Sequence, residues 1–86
     1  MRVLVYSMSE DGPSRLVEGF ADAKAAEAFA CEVMRRSLAE HYRPGMPKDE
    51  LLRLWTIYGE CASVPETGWS ARGQFDRLIV ELGVVP

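Results

Sequence analysis

Residues 22–43 (Asp-Ala-Lys-Ala-Ala-Glu-Ala-Phe-Ala-Cys-Glu-Val-Met-Arg-Arg-Ser-Leu-Ala-Glu-His-Tyr-Arg) are the longest run of the chain without Gly or Pro, and they do most to limit its fold. Ala, Glu, Arg, Leu and Met fill most of the run, and these side chains lose little freedom in a helix. At about 100° per residue, Ala23, Ala26, Ala30, Val33, Met34 and Ser37 share one arc. Phe29 and Leu38 sit at its margins, while Lys24, Glu32, Arg35 and Arg36 lie opposite. The spacing predicts an amphipathic helix with one core-facing stripe, whose small Ala residues let another element approach closely. Asp22 is placed as its N-cap, and Arg43-Pro44-Gly45-Met46-Pro47 ends it, because Pro lacks a donor and restricts the residue before it.

Ahead of this helix, residues 2–8 (Arg-Val-Leu-Val-Tyr-Ser-Met) are β-branched and aromatic and read as a strand. The turn signal Glu-Asp-Gly-Pro lies within Ser9–Ser14, and residues 15–21 read as the returning strand of a hairpin. Alternation sends Val3 and Val5 to one face of the first strand and Leu4, Tyr6 and Met8 to the other. Leu16, Val17 and Phe20 give the second strand the same two-sided character. A lone hairpin is marginal in water, so something must complete the sheet or cover its second face. The candidates are a second copy of the chain, Glu60–Val64, Val84-Val85, or Leu78–Leu82 if extended; the sequence leaves these open.

Beyond the long helix, Pro47 suits the first position of a second one, with Asp49 and Glu50 near its positive end and Gly59 closing it. Leu51, Leu54, Trp55 and Tyr58 share a face there, although residues 54–58 also have strand character. Glu60–Trp69 reads as irregular, with a turn at Pro65-Glu66-Thr67-Gly68. Ser70 can cap a third helix aligning Ala71, Phe75, Leu78, Ile79 and Leu82, with Gly83 as its stop. The expected architecture is a single α+β domain over residues 1–86, an N-terminal β-hairpin packed by about three helices in the order β-β-α-α-α.

Eighty-six residues suit one domain with a thin core. The net charge of −3 argues against nucleic acid, whose phosphates reward a basic face. Arg35, Arg36, Arg43, Lys48 and Arg53 do gather positive charge mid-chain, but the spacings Glu32–Arg36 and Arg36–Glu40 fit a salt-bridged solvated face. No apolar run approaches the roughly 20 residues of a membrane span, and the N-terminal apolar stretch is short for a signal peptide. Cys31 and Cys61 lack Cys-x-x-Cys spacing, so reduced thiols and a cytoplasmic location are expected.

His41 is the one histidine, placed where it can bond a last-turn carbonyl. Its pairing with Cys61 as a nucleophilic couple is not required by any spacing. One His and two scattered Cys make no metal set, and no cofactor is expected. Trp69, Ser70 and Arg72, at the start of the third helix, form the candidate ligand corner: exposed N–H groups, a capping hydroxyl and a cation could hold an anion, with His41 nearby. The candidate contact surface comprises Leu4, Tyr6, Met8, Phe20 and Trp55, because aromatic and Met side chains are enriched where proteins meet. The leading expectation is a non-enzymatic protein-interaction module, a homodimer or a subunit of a larger complex. The alternatives are an anion-binding or catalytic domain at the Trp69–Arg72 corner and an inhibitor or accessory subunit docking on a larger machine.

Overall fold

A computed structural model of the protein describes residues 1–9 and 12–84. Strand β1 spans Val3–Ser7 and β2 spans Ser14–Val17. Helix α1 covers Ala23–His41 and α2 covers Lys48–Tyr58. Strand β3 (Glu60–Val64) and the two-residue β4 (Trp69–Ser70) follow, then a 3-10 turn at Ala71–Gln74 that runs into α3, Phe75–Leu82. The four strands form one antiparallel sheet in the order β2-β1-β3-β4.

The α+β class and the N-terminal hairpin followed by helices are as expected, and the sheet is completed from within the chain. Glu60–Val64 takes the place beside β1, pairing Leu4 with Ser63 and Tyr6 with Cys61. The stretch read as irregular therefore supplies two strands, joined through a turn in which Gly68 N–H bonds the Val64 carbonyl at 2.9 Å. Leu78–Leu82 is helical, and the remaining candidate, Val84-Val85, falls partly outside the described residues, as do residues 10 and 11 of the expected turn.

Strand alternation sets the core. Val3, Val5, Ala62 and Val64 are buried together on one face, where α1 covers them with Ala26, Ala30, Met34 and Leu38. Those α1 positions fall on or beside the predicted stripe. Asp22 caps the helix as its sequence position implies, Oδ1 accepting the Ala25 N–H at 2.8 Å. Cys31 is buried at the border of the same stripe, and the Arg77 guanidinium reaches its Sγ at 3.6 Å.

Beside α1, Leu51 and Trp55 of α2 are fully buried, and the Trp55 ring stacks on Phe75 of α3 with centroids 5.7 Å apart. Tyr58 does not share this burial; it is 69% exposed. It occupies the last turn of α2, where the chain leaves for β3. Gly59 makes the departure possible, because a Cβ there would lie 2.2 Å from Cδ1 of Trp55. Gly83 closes α3 in the left-handed region (φ 98°), its N–H returned to the Ile79 and Val80 carbonyls.

Candidate functional site

The described residues present three places where chemistry or contact is conceivable: the Trp69–Arg72 corner, the outer face of the sheet, and a cleft between α1 and β2.

At the corner, Trp69 pairs with Val64 and Ser70 with Ser63 in the β3–β4 ladder. Ser70 Oγ accepts the Arg72 N–H at 3.3 Å, so the capping role is filled. What it caps is a four-residue 3-10 turn rather than an α-helix, which weakens the dipole an anion would use. His41 is not brought here. Its ring lies 6.3 Å from that of Tyr58, one turn beyond Ser37 in α1. Ser37 Oγ in turn accepts the Glu60 N–H at 2.8 Å, which places His41 by the start of β3 while Trp69 stands by its end.

The outer face follows from the pairing register. Leu4, Tyr6, Cys61 and Ser63 point away from α1, with Leu16 and Ser14 of β2 beside them and Ser70 of β4 on the far side. Leu4 and Tyr6 are half-buried, whereas Leu16 is 50% exposed. Cys61 is fully covered, and burial pushes its thiol pKa up, the nearby Tyr6, Ser70 and Arg72 only partly opposing this. Burial likewise raises the Tyr6 phenol, against the lowering effect of Ser70. Cys61 is thus a neutral thiol at physiological pH, and the sheet stands between it and His41 on α1. The thiolate–imidazole couple does not form.

Of the residues singled out for contact, Leu4, Tyr6 and Met8 are half-buried, and Phe20 packs against Phe29 at 5.0 Å between centroids. Trp55 must be removed from that set. It is wholly enclosed, and its indole N–H donates to the Glu60 carbonyl at 2.9 Å, so it belongs to the core.

The cleft of about 400 Å3 between α1 and β2 was not visible in the sequence. Phe29, Val33 and Ser37 of α1 contribute to its walls, and Arg15, Arg36, Glu40, Tyr58 and Glu60 bring charge and a phenol. Arg36 is held by Glu32, its Nε donating to the carboxylate at 3.2 Å. Arg35 bridges Glu32 and Glu81, and Lys48 pairs with Asp76 at 2.6 Å. Arg35, Arg36 and Lys48 are therefore engaged; of the two spacings expected to pair, Glu32–Arg36 does and Arg36–Glu40 does not among the described residues. Groups of both signs around an apolar floor suit a polypeptide segment better than a reacting small molecule.

No family model, curated protein or solved structure matches this chain. Among the described residues, no group of three or more His, Cys, Asp or Glu side chains is placed to hold a metal ion, and no helix is long and apolar enough to cross a membrane.

Two features escaped sequence reasoning. Arg15 and Leu16 read only as part of the returning hairpin strand; that they lie on the edge of the sheet depends on β3 having chosen the other side of β1. The cleft depends on Arg15 of β2 coming to lie opposite Phe29, Val33 and Ser37 of α1. Neither fact has a local signal.

Proposed function

We propose that this protein is a non-enzymatic interaction module, acting through protein contact as a homodimer or as a subunit of a larger complex. One observation carries the reading: the helices cover a single face of the sheet, leaving half-buried Leu4 and Tyr6 and exposed Leu16 side by side on the other. Apolar surface laid out as a contiguous row beside a free strand edge is what partners bury. The net charge of −3 and the pairing of Arg35, Arg36 and Lys48 favour protein over nucleic acid as the partner. The two free, buried thiols suit a reducing, cytoplasmic setting, which is part of the same proposal.

Light scattering after gel filtration at two concentrations, combined with pull-down from native cells, tests the reading. A mass above that of one chain, or a stoichiometric partner, is expected. A compact monomer at both concentrations with no partner recovered would remove the basis for it.

A further inference from the structure

The phase of the backbone hydrogen bonds shows which groups of β2 are unused. Met8 N–H donates to the Gly59 carbonyl at 2.9 Å, so even-numbered residues of β1 bond towards β3. Ser7 N–H donates to the Pro13 carbonyl at 3.3 Å, so odd-numbered residues bond towards β2. Antiparallel ladders alternate, and the register pairs Val5 with Arg15 and Val3 with Val17. Arg15 and Val17 therefore spend their backbone groups on β1. Ser14 and Leu16 turn their N–H and C=O groups outward, where β2 has no neighbouring strand among the described residues.

We infer that the partner at this edge is a second copy of the chain, added antiparallel through β2 about a two-fold axis at Leu16. The inference rests on the association proposed above and names the surface and the register.

A two-fold axis perpendicular to the sheet requires facing residues to share a side of the sheet, so only registers joining residues of like parity are allowed. Centring on Leu16 sets Leu16 against Leu16 of the second copy and Arg15 against Val17, all within β2. Leu16 has outward backbone groups in both copies, so this facing pair closes two hydrogen bonds. Moving the axis to Arg15 puts two guanidinium groups opposite each other, which is unfavourable. Moving it to Val17 sets Arg15 against Gly19, whose φ of 99° breaks the strand.

The register centred on Leu16 also extends the outer face. Leu4 and Leu16 of one copy continue into Leu16 and Leu4 of the other, giving one apolar stripe across the join. On the helix side, Arg15 meets Val17 of the second copy, and the two clefts beside α1 open towards each other over the paired edges.

A short edge buries little area, so the dimer belongs to the weak, concentration-dependent class. Sedimentation equilibrium from about 10 μM to 1 mM covers the affinities expected of such an interface. Wild-type protein should pass from monomer towards dimer across that range. Leu16→Lys, which keeps the strand but sets like charges on the axis, should weaken association at least tenfold with an unchanged circular dichroism spectrum. Leu16→Cys should cross-link to a disulfide dimer under mild oxidant at least tenfold faster than Val80→Cys, a site 57% exposed on α3. A dimer indifferent to Leu16→Lys, or equal cross-linking at both positions, overturns the edge assignment and leaves the association reading standing. A monomer throughout overturns self-association, and the interaction reading then stands or falls on pull-down of a different partner.

Discussion

Replacing Gly59 by Ala should damage this protein far more than its place at the end of a helix suggests. The backbone there is extended (φ −87°, ψ 179°) and open to any residue, so conformational freedom is not the issue. Space is. A methyl group would sit 2.2 Å from Trp55 Cδ1, 2.6 Å from the Trp55 carbonyl oxygen and 2.9 Å from Ser37 Oγ. Trp55 is fully buried against Phe75 and cannot swing outward freely. Relief must come from rotating the indole, which breaks its 2.9 Å bond to the Glu60 carbonyl, or from unwinding the α2 terminus, which breaks the 2.8 Å bond from Gly59 N–H to the Trp55 carbonyl. Overpacking costs about 1–3 kcal/mol, and one lost hydrogen bond about 1 kcal/mol. The sum of roughly 2–4 kcal/mol is a large share of the roughly 5–10 kcal/mol available to a domain of this size. At about 4–8 °C per kcal/mol, the melting temperature should drop by roughly 8–30 °C. Gly73→Ala is the control: no atom lies within 4 Å of its added Cβ and its φ is not positive, so it should be neutral or stabilise by up to about 1 kcal/mol. Urea titrations followed by tryptophan fluorescence and far-ultraviolet circular dichroism give both values. If Gly59→Ala unfolds at the wild-type midpoint, the close seating of Trp55 on residue 59 is wrong, and with it the account of how α2 hands the chain to β3.

Ser37→Ala should destabilise by about 1–2 kcal/mol in the same titration, because it strands the Glu60 N–H at the α1–β3 contact without altering packing volume; no change would mean that water replaces the hydroxyl. Asp22→Ala removes the α1 N-cap and should cost about 1 kcal/mol, while Asp22→Asn should retain most of the stability. Burial raises the Cys61 and Tyr6 pKa values, so the unfolded chain releases these protons first. Stability should accordingly be level up to the ordinary thiol range, about pH 8.5, and fall as pH rises beyond it. Cys61→Ala should flatten that decline, and a profile that stays level in the wild type would contradict the burial of both groups. Native Cys61 should also react with iodoacetamide only on unfolding, read by mass spectrometry; rapid labelling in native buffer would contradict its burial.

Local pattern was enough for α1, its Asp22 cap, the buried face of α3 and the Gly83 stop, because each depends on residues within a turn or two of one another. The hairpin was equally local. The third strand was legible only as one option among several: Glu60–Val64 is short, with Cys, Ala and Ser at its centre, and its strand state comes from pairing with β1 rather than from propensity. Tyr58 misled because helical projection assigns a face without saying whether anything covers it. Trp55 was drawn to the surface by the general enrichment of Trp in interfaces, whereas a thin core with a partner for the indole N–H is the more demanding use of that side chain. The free edge and the cleft beside it were beyond reach, since both are set by strand order.

The brevity of β4 has a further bearing. It contributes two residues before the chain coils into a 3-10 turn, so the far border of the sheet is a stub with almost nothing to offer an incoming backbone. A fibre built through such sheets would need each unit to receive a neighbour on both borders. Here only one border can receive, and whichever segment takes it ends the series, so a crowded solution of this protein has no route to endless stacking by that path.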